Sequence, residues 1–71
     1  MLREGDSGTL VYIVQAMLND IGSRYDNLAP VAINGSFNAA TTNAIRGVQQ
    51  AADLPQTGAV DRDTWNWMVT A

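Results

Sequence analysis

Hydrophobic side chains recur at helical spacing in three parts of the chain. After Thr9, apolar residues lie three or four positions apart along one side, with Val11 beside them: Leu10, Val14, Met17, Leu18 and Ile21. This spacing is typical of an amphipathic helix with one face turned toward a core. Ser7 or Thr9 could cap the N-terminus of this helix, and Gly22 is a typical residue at a C-terminal end. The pattern predicts a first helix that ends at Gly22.

A second helix is predicted from about Ala39 to Ala52, after a tight turn. Gly35 can take the positive φ that the turn needs, and Asn38 is a good N-cap residue. Phe37 between them brings an aromatic ring into the interior. Apolar positions, with Thr41 among them, continue along one face: Ala40, Ala44, Val48, Ala51 and Ala52. The opposite face is polar and carries Thr42, Asn43, Arg46 and Gln50.

The same turn and cap occur a second time near the C-terminus. Residues 35–41 and 58–64 match at the glycine, the apolar residue, the capping residue and the threonine. A third helix is therefore expected from Asp61, with Trp65 on its apolar stripe and Trp67 pointing away from that stripe. The predicted core contains Val14, Leu18, Phe37, Ala44, Val48, Trp65 and Met68.

The order and spacing of these segments resemble the peptidoglycan-binding domain of bacterial and phage cell-wall hydrolases. In that family an Asp-Gly-x-Phe-Gly turn leads into Thr-x-x-Ala-Val-x-x-Phe-Gln, and a later Gly-x-Val leads into Thr-Trp. The corresponding segments here are residues 34–38, 42–49 and 57–65, and residues 2–8 and 14–19 are similar too. The resemblance covers nearly the whole chain. No segment is specific alone, but their order and spacing together are.

The resemblance implies one domain over residues 1–71 with an all-α fold, a compact orthogonal three-helix bundle. Ile33 and Val60 stand beside the two turns and could add a very short strand pair. The implied function is that of a non-catalytic module that holds a linked wall hydrolase, or another wall-modifying enzyme, against peptidoglycan. Its partners would be the glycan or the stem peptide and a covalently attached catalytic domain, and a monomer is expected. The implied location is the cell wall or another extracytoplasmic site, reached from a bacterium or from a phage at lysis.

Three positions depart from the family pattern. Asn34 stands where the family has Asp, Asn38 where it has a second Gly, and Val48 where it has Phe. Val48 implies a smaller or differently filled core. Asn34 removes a charge from the turn, so the mode of ligand binding would differ here if that Asp contacts ligand in the family.

The composition narrows the classes of function. With 71 residues and 46% hydrophobic positions, the chain has material for one small core. Its net charge is −3, and its four basic residues are arginines scattered along the sequence. Nucleic-acid binding rests on a basic patch, so no nucleic-acid partner is expected. No apolar run approaches the roughly 20 residues that span a membrane, so no membrane span is expected.

The side chains do not specify a reaction. A hydrolase needs a nucleophile with its base, a carboxylate pair or a metal site, and the chain contains neither His nor Cys. Glu4 and Asp6 lie in one loop, while the helix dipole explains Asp61 and Asp63 at a helix start. We therefore expect no enzymatic activity, no cofactor and no bound metal.

The candidate ligand-binding residues are polar groups on the predicted solvent side and two tyrosines. Asn43, Arg46 and Gln50 follow i, i+3, i+7 spacing and share one exposed stripe of the second helix. Arg46 is the strongest of them, because its guanidinium can bind a carboxylate through two parallel hydrogen bonds. The alternative for this stripe is an ordinary solvated helix face. The remaining candidates lie in the turn, on the first helix and in the connection that follows it: Asn34, Ser36, Tyr12 and Tyr25.

Gln15 and Gln49 occupy similar margins of the first two helices. A half-buried amide must find hydrogen-bond partners. Both glutamines are therefore expected to bond backbone groups of a neighbouring loop rather than a ligand.

Two other classes of function remain open. A helical protein-interaction module would use the exposed aromatic residues Tyr12 and Trp67. A pro-domain-like regulatory domain of the same fold occurs on metalloprotease zymogens, but its inhibitory cysteine has no counterpart here. Binding to isolated peptidoglycan sacculi, compared with binding to a protein partner, separates these classes from wall binding.

Overall fold

Three helices that pack against one another form the fold, in a computed structural model that describes residues 2–24 and 30–70. They are α1 (Thr9–Gly22), α2 (Ala39–Ala51) and α3 (Arg62–Thr70). Each helix contacts the other two, and the described residues contain no sheet, only two isolated antiparallel bridges. The expected compact, all-α three-helix fold is confirmed.

One hydrophobic core lies between the three helices and the turns that connect them. Among the predicted core residues, Trp65 differs from the others, because it is half-buried at the edge of the core and the rest are buried. The core also includes residues that the sequence pattern did not select, notably Val31 and Val60. Its buried members are Val11, Val14, Leu18, Ile21, Val31, Phe37, Ala44, Ile45, Val48, Val60 and Met68.

The buried faces of α1 and α2 are rotated relative to the prediction. In α1, Val11 is fully buried while Leu10 is 57% exposed. In α2, Ile45 is fully buried while Ala40 and Ala51 are exposed. The cause is a glutamine that lies within each buried face. A hydropathy pattern treats glutamine as polar, so it shifts the expected apolar face away from that side.

The two tryptophans of α3 lie on opposite flanks of its buried side. Thr64 and Met68, one helical turn apart, are buried, and both Trp65 and Trp67 are half-buried against the core. At about 100° per residue, the two rings fall about 80° to either side of the line through Thr64 and Met68. The prediction that Trp67 points away from the core is wrong, because the buried stripe is centred between the rings and not on Trp65. Of the two exposed aromatic residues expected for a protein-interaction module, Tyr12 is exposed and Trp67 is half-buried.

The N-terminal segment pairs with the chain just before α3. Leu2 and Val60 form an antiparallel bridge with N–O distances of 3.1 and 2.7 Å. The strand pair that Ile33 and Val60 could have formed, which the sequence left open, is not present, because Leu2 occupies the backbone groups of Val60. Ile33 is 40% exposed.

Side-chain caps begin α2 and α3, as predicted. Asn38 accepts a hydrogen bond from the backbone N–H of Thr41 at 3.0 Å. Asp61 accepts the corresponding bond from the backbone N–H of Thr64 at 2.8 Å. Each cap satisfies a donor that the first helical turn would otherwise leave unpaired.

Helix α1 begins differently from the other two helices. Gly8 occupies its N-cap position with a φ of 124°, and no side chain of the described residues caps this end. The predicted cap by Ser7 or Thr9 is therefore wrong. The N–H of Gly8 instead donates to the carbonyl of Gly35 at 2.9 Å, which ties the start of α1 to the turn before α2.

The charge of Asp61 makes its cap sensitive to pH. The pKa of Asp61 is lowered from 3.8, first by the hydrogen bond from the Thr64 backbone N–H and then by that from the Thr64 hydroxyl. A carboxylate with a lowered folded-state pKa stabilises the protein above its unfolded pKa, and this contribution is lost as pH falls through the folded value. The stabilisation is thus present at neutral pH and declines below pH 3.8.

We predict that Asp61→Ala lowers the unfolding free energy by about 1 kcal/mol at neutral pH, as the loss of an N-cap does. The loss should shrink when urea unfolding is repeated at an acidic pH below the folded-state pKa of Asp61, because protonation removes the charge that strengthens the cap. Asn38→Ala is the matched control, because an uncharged cap should cost about 1 kcal/mol at both pH values. A penalty for Asp61→Ala that does not change with pH would contradict this account.

Candidate functional site

The side-chain amide of Gln15 holds the turn at residues 34–36, here called the first turn, against α1. Gln15 is fully buried, and its Oε1 accepts from the backbone N–H groups of Asn34 and Gly35 at 2.9 and 2.8 Å. Its Nε2 donates to the Ser36 carbonyl at 2.9 Å and to the Thr41 hydroxyl at 3.1 Å. One amide therefore fixes the turn relative to both α1 and the start of α2.

Gln49 repeats this arrangement for residues 57–59, here called the second turn. Gln49 is fully buried, and its Oε1 accepts from the backbone N–H of Gly58 at 3.0 Å. Its Nε2 donates to the Ala59 carbonyl at 2.9 Å and to the Thr64 hydroxyl at 3.1 Å. The repeat seen in the sequence thus extends back into the preceding helix in each copy.

The expectation that both glutamines bond neighbouring loops is confirmed, although they lie fully buried and not at a margin. No buried side-chain nitrogen or oxygen of the described residues lacks a partner. A signal for this role is present in the sequence, because the dipeptides Val14-Gln15 and Val48-Gln49 are identical and each precedes one copy of the turn.

The two turns differ in what covers their glycines. Gly35 and Gly58 have nearly equal positive φ angles, 76° and 79°. A Cβ placed on Gly58 would lie 2.7 Å from Thr42 Cγ2 and 3.1 Å from Arg46 Nε. A Cβ on Gly35 would meet only the Gly8 carbonyl oxygen, at 3.4 Å. Side chains of α2 therefore seal the second turn, while the first turn stays open.

An open groove of about 580 Å³ lies beside the first turn. A bridge between Ser7 and Ser36 brings the loop before α1 alongside the turn, and both residues line the groove. Tyr12, 53% exposed, provides its aromatic side. The residues that line this first-turn groove carry no charged side chain: Ser7, Gly8, Thr9, Tyr12, Asn34, Gly35 and Ser36.

Hydrogen bonds fix the orientation of the Asn34 amide in this groove. Its Oδ1 accepts from the backbone N–H of Ser36 at 3.0 Å and from Gln15 Nε2 at 3.2 Å. Two donors on this oxygen identify it as the carbonyl side of the amide. The Nδ2 group has no partner among the described residues and remains a donor.

The structure brings together only some of the candidate residues. Tyr12, Asn34 and Ser36 meet in the first-turn groove. Asn43, Arg46 and Gln50, here called the α2 stripe, are all exposed. Arg46 lies against the second turn and does not line the groove. Tyr25 lies outside the described residues.

Sequence reasoning missed the part of the groove that comes from the loop before α1. Ser7 and Thr9 were considered only as cap residues, and Gly8 only as part of the segment that resembles the family. The approach of all three to the first turn depends on non-local backbone bonds. The Gly5-Asp6-Ser7-Gly8 loop was visible in the sequence, but nothing there indicates which segment it contacts.

The described residues offer no metal centre, since no group of three or more His, Cys, Asp or Glu side chains could hold an ion. No helix among them is long and apolar enough to cross a membrane. The groups that the groove can offer to a ligand are neutral hydrogen-bonding side chains, backbone amides and one aromatic ring.

Comparison with known proteins defines the class. The family described as "Putative peptidoglycan binding domain" matches residues 7–68, so the chain belongs to this family, and the resemblance seen in the sequence is confirmed. Domains of this family are non-catalytic modules. The crystal structure of the SleB N-terminal domain is similar, with a TM-score of 0.81 and 26% identity over 97% of this chain and 88% of that one. No curated protein matches the sequence significantly.

We predict that Gln49→Ala lowers stability far more than Gln50→Ala, its exposed neighbour in the chain. Loss of the Gln49 amide leaves the Gly58 N–H, the Ala59 carbonyl and the Thr64 hydroxyl short of partners. The expected cost is about 3 kcal/mol or more, against at most about 0.5 kcal/mol for the surface change. Thermal unfolding followed by circular dichroism measures both, and equal melting temperatures would contradict the anchoring role.

Proposed function

We propose that this domain binds peptidoglycan without acting on it, and that the first-turn groove is its principal contact surface. Membership of the peptidoglycan-binding family supports peptidoglycan as the ligand. The single observation that carries the proposed surface is the open groove itself, which gathers Tyr12, Asn34 and Ser36 beside exposed turn backbone. Binding sites commonly combine such a concave shape with an aromatic side chain and a few fixed polar groups.

The α2 stripe is proposed as a flanking contact. Arg46 is exposed, and its guanidinium has no hydrogen-bond or ion-pair partner among the described residues. It can therefore receive a carboxylate of the stem peptide through two parallel hydrogen bonds. Asn43 and Gln50 lie along the same side of the helix and add neutral hydrogen-bonding groups.

The wider role we propose is to keep a wall-acting enzyme of the same polypeptide close to its substrate. The similar solved structure is itself the N-terminal domain of a protein, in agreement with a modular arrangement. Peptidoglycan is a repetitive ligand, so a weak monomeric module gains from the avidity of a linked chain. This role places the domain at the cell wall, outside the cytoplasm, whether a bacterium or a phage encodes it.

We predict that the parent domain co-sediments with purified sacculi and does not reduce their turbidity. Arg46→Ala should weaken binding about fivefold, the equivalent of about 1 kcal/mol. Its melting temperature should fall only slightly, because Arg46 also covers Gly58. Tyr12→Ala should weaken it more, because the groove loses its one ring. Arg62→Ala, an exposed arginine on α3, is the matched control and should bind like the parent.

These experiments test the identity of the ligand and the location of the binding surface separately. A folded parent domain that stays in the supernatant would refute peptidoglycan binding, and turbidity loss would refute a non-catalytic role. If both Tyr12→Ala and Arg46→Ala bind like the parent, peptidoglycan remains the ligand, but neither the first-turn groove nor the α2 stripe is its binding surface.

A further inference from the structure

We propose that the first-turn groove recognises the glycan of peptidoglycan, through a neutral N-acetylated pyranose, and not the carboxylates of the stem peptide. We further propose that Asn34 sets this preference. Both statements rest on the proposed function above, because they name the part of peptidoglycan that the same groove binds.

The charge of the groove argues for a neutral ligand group. None of its lining side chains is ionised, and the chain as a whole carries a net charge of −3. The residue next to its edge in sequence is Asp6, whose carboxylate accepts from the backbone N–H of Arg3 at 3.0 Å and adds negative charge there. A carboxylate that leaves water needs a paired charge to offset its desolvation, and the lining provides none.

The shape and the ring of the groove suit a sugar. Tyr12 is 53% exposed and lines the groove, so its ring is within reach of a ligand there. A pyranose has an apolar C–H face that can lie on such a ring, with hydroxyls and an acetamide at its rim. Hydrogen bonds at the periphery can then fix its orientation, as in other small-ligand sites.

Asn34 supplies the directional contact. Because Gln15 Nε2 and the Ser36 N–H hold its Oδ1, the Nδ2 group is fixed as the outward atom and can only donate. Its partner must be an acceptor, such as a sugar hydroxyl or an acetamide carbonyl oxygen. An Asp at this position would keep the two inward bonds through one oxygen and present a negative acceptor to the ligand.

The second turn lacks these features, although its backbone has the same anchor. Thr57 stands in the place of Asn34, and its hydroxyl is taken up by Gln49 Nε2 at 3.2 Å and by the N–H of Ala59 at 3.2 Å. Thr42 and Arg46 cover the glycine there. The two turns thus share a scaffold, and only the first presents a free donor beside an aromatic ring.

The test uses two probes from the same sacculi: peptide-free glycan strands left by amidase digestion, with the lactyl carboxylates that the cleavage exposes converted to neutral amides, and the stem peptides that the digestion releases. NMR titration of the ¹⁵N-labelled parent domain should shift the resonances of the first-turn groove with the glycan strands and not with the stem peptides, whose carboxylates can reach only the α2 stripe. Asn34→Asp should keep the parent melting temperature and weaken glycan binding about fivefold or more, as expected for one lost hydrogen bond. Tyr12→Ala should also weaken it, while Arg46→Ala should bind the strands like the parent.

Each outcome bears on a separate statement. Binding to intact sacculi and to stem peptides, without binding to the strands, would overturn the glycan assignment and leave peptidoglycan binding intact. Failure to bind even intact sacculi would refute the proposed function and this inference with it. Parent-like glycan binding by a folded Asn34→Asp domain would overturn the role of Asn34 alone.

Discussion

The rest of the structure depends on two buried side-chain amides. Gln15 and Gln49 are fully buried, and each uses both its carbonyl and its amino group to hold the backbone of a turn and the threonine of the following helix. A buried amide is favourable only when its groups are paired, because each unpaired group keeps its full desolvation cost. The described residues contain no β-sheet whose backbone hydrogen bonds could hold the turns in place. The two glutamine amides hold them instead.

The parts of the fold that were predictable are those set by near neighbours in sequence. Asn38 and Asp61 cap helices through bonds to residues three positions on, and the two turn glycines have the positive φ that their turns need. Hydropathy could not predict which face of α1 or of α2 is buried, because each buried face contains a glutamine, which hydropathy counts as a surface residue. The pairing of Leu2 with Val60 joins residues from opposite ends of the chain, and no local pattern encodes it.

The same distinction between local and non-local contacts applies to the candidate site. Tyr12, Asn34 and Ser36 could each be named from local chemistry, but their meeting depends on the Gln15 anchor and on the loop before α1. Arg46 was the strongest candidate by charge, yet the fold sets it against the second turn. One scaffold used twice therefore gives two unequal surfaces: a sealed turn that supports the core and an open turn that offers a groove. That asymmetry is the physical basis for our proposal that the ligand binds at the first turn.

Amide hydrogen exchange of the two turn glycines tests the central claim most directly. Turn amides at a surface ordinarily exchange fast, but the N–H groups of Gly35 and Gly58 donate to buried glutamine oxygens at 2.8 and 3.0 Å. We expect both to be protected to a degree close to that of core helix amides such as Val14, since they should open only when the domain unfolds globally. Exchange of either glycine at the rate of an unstructured peptide, with Val14 still protected, would contradict the account.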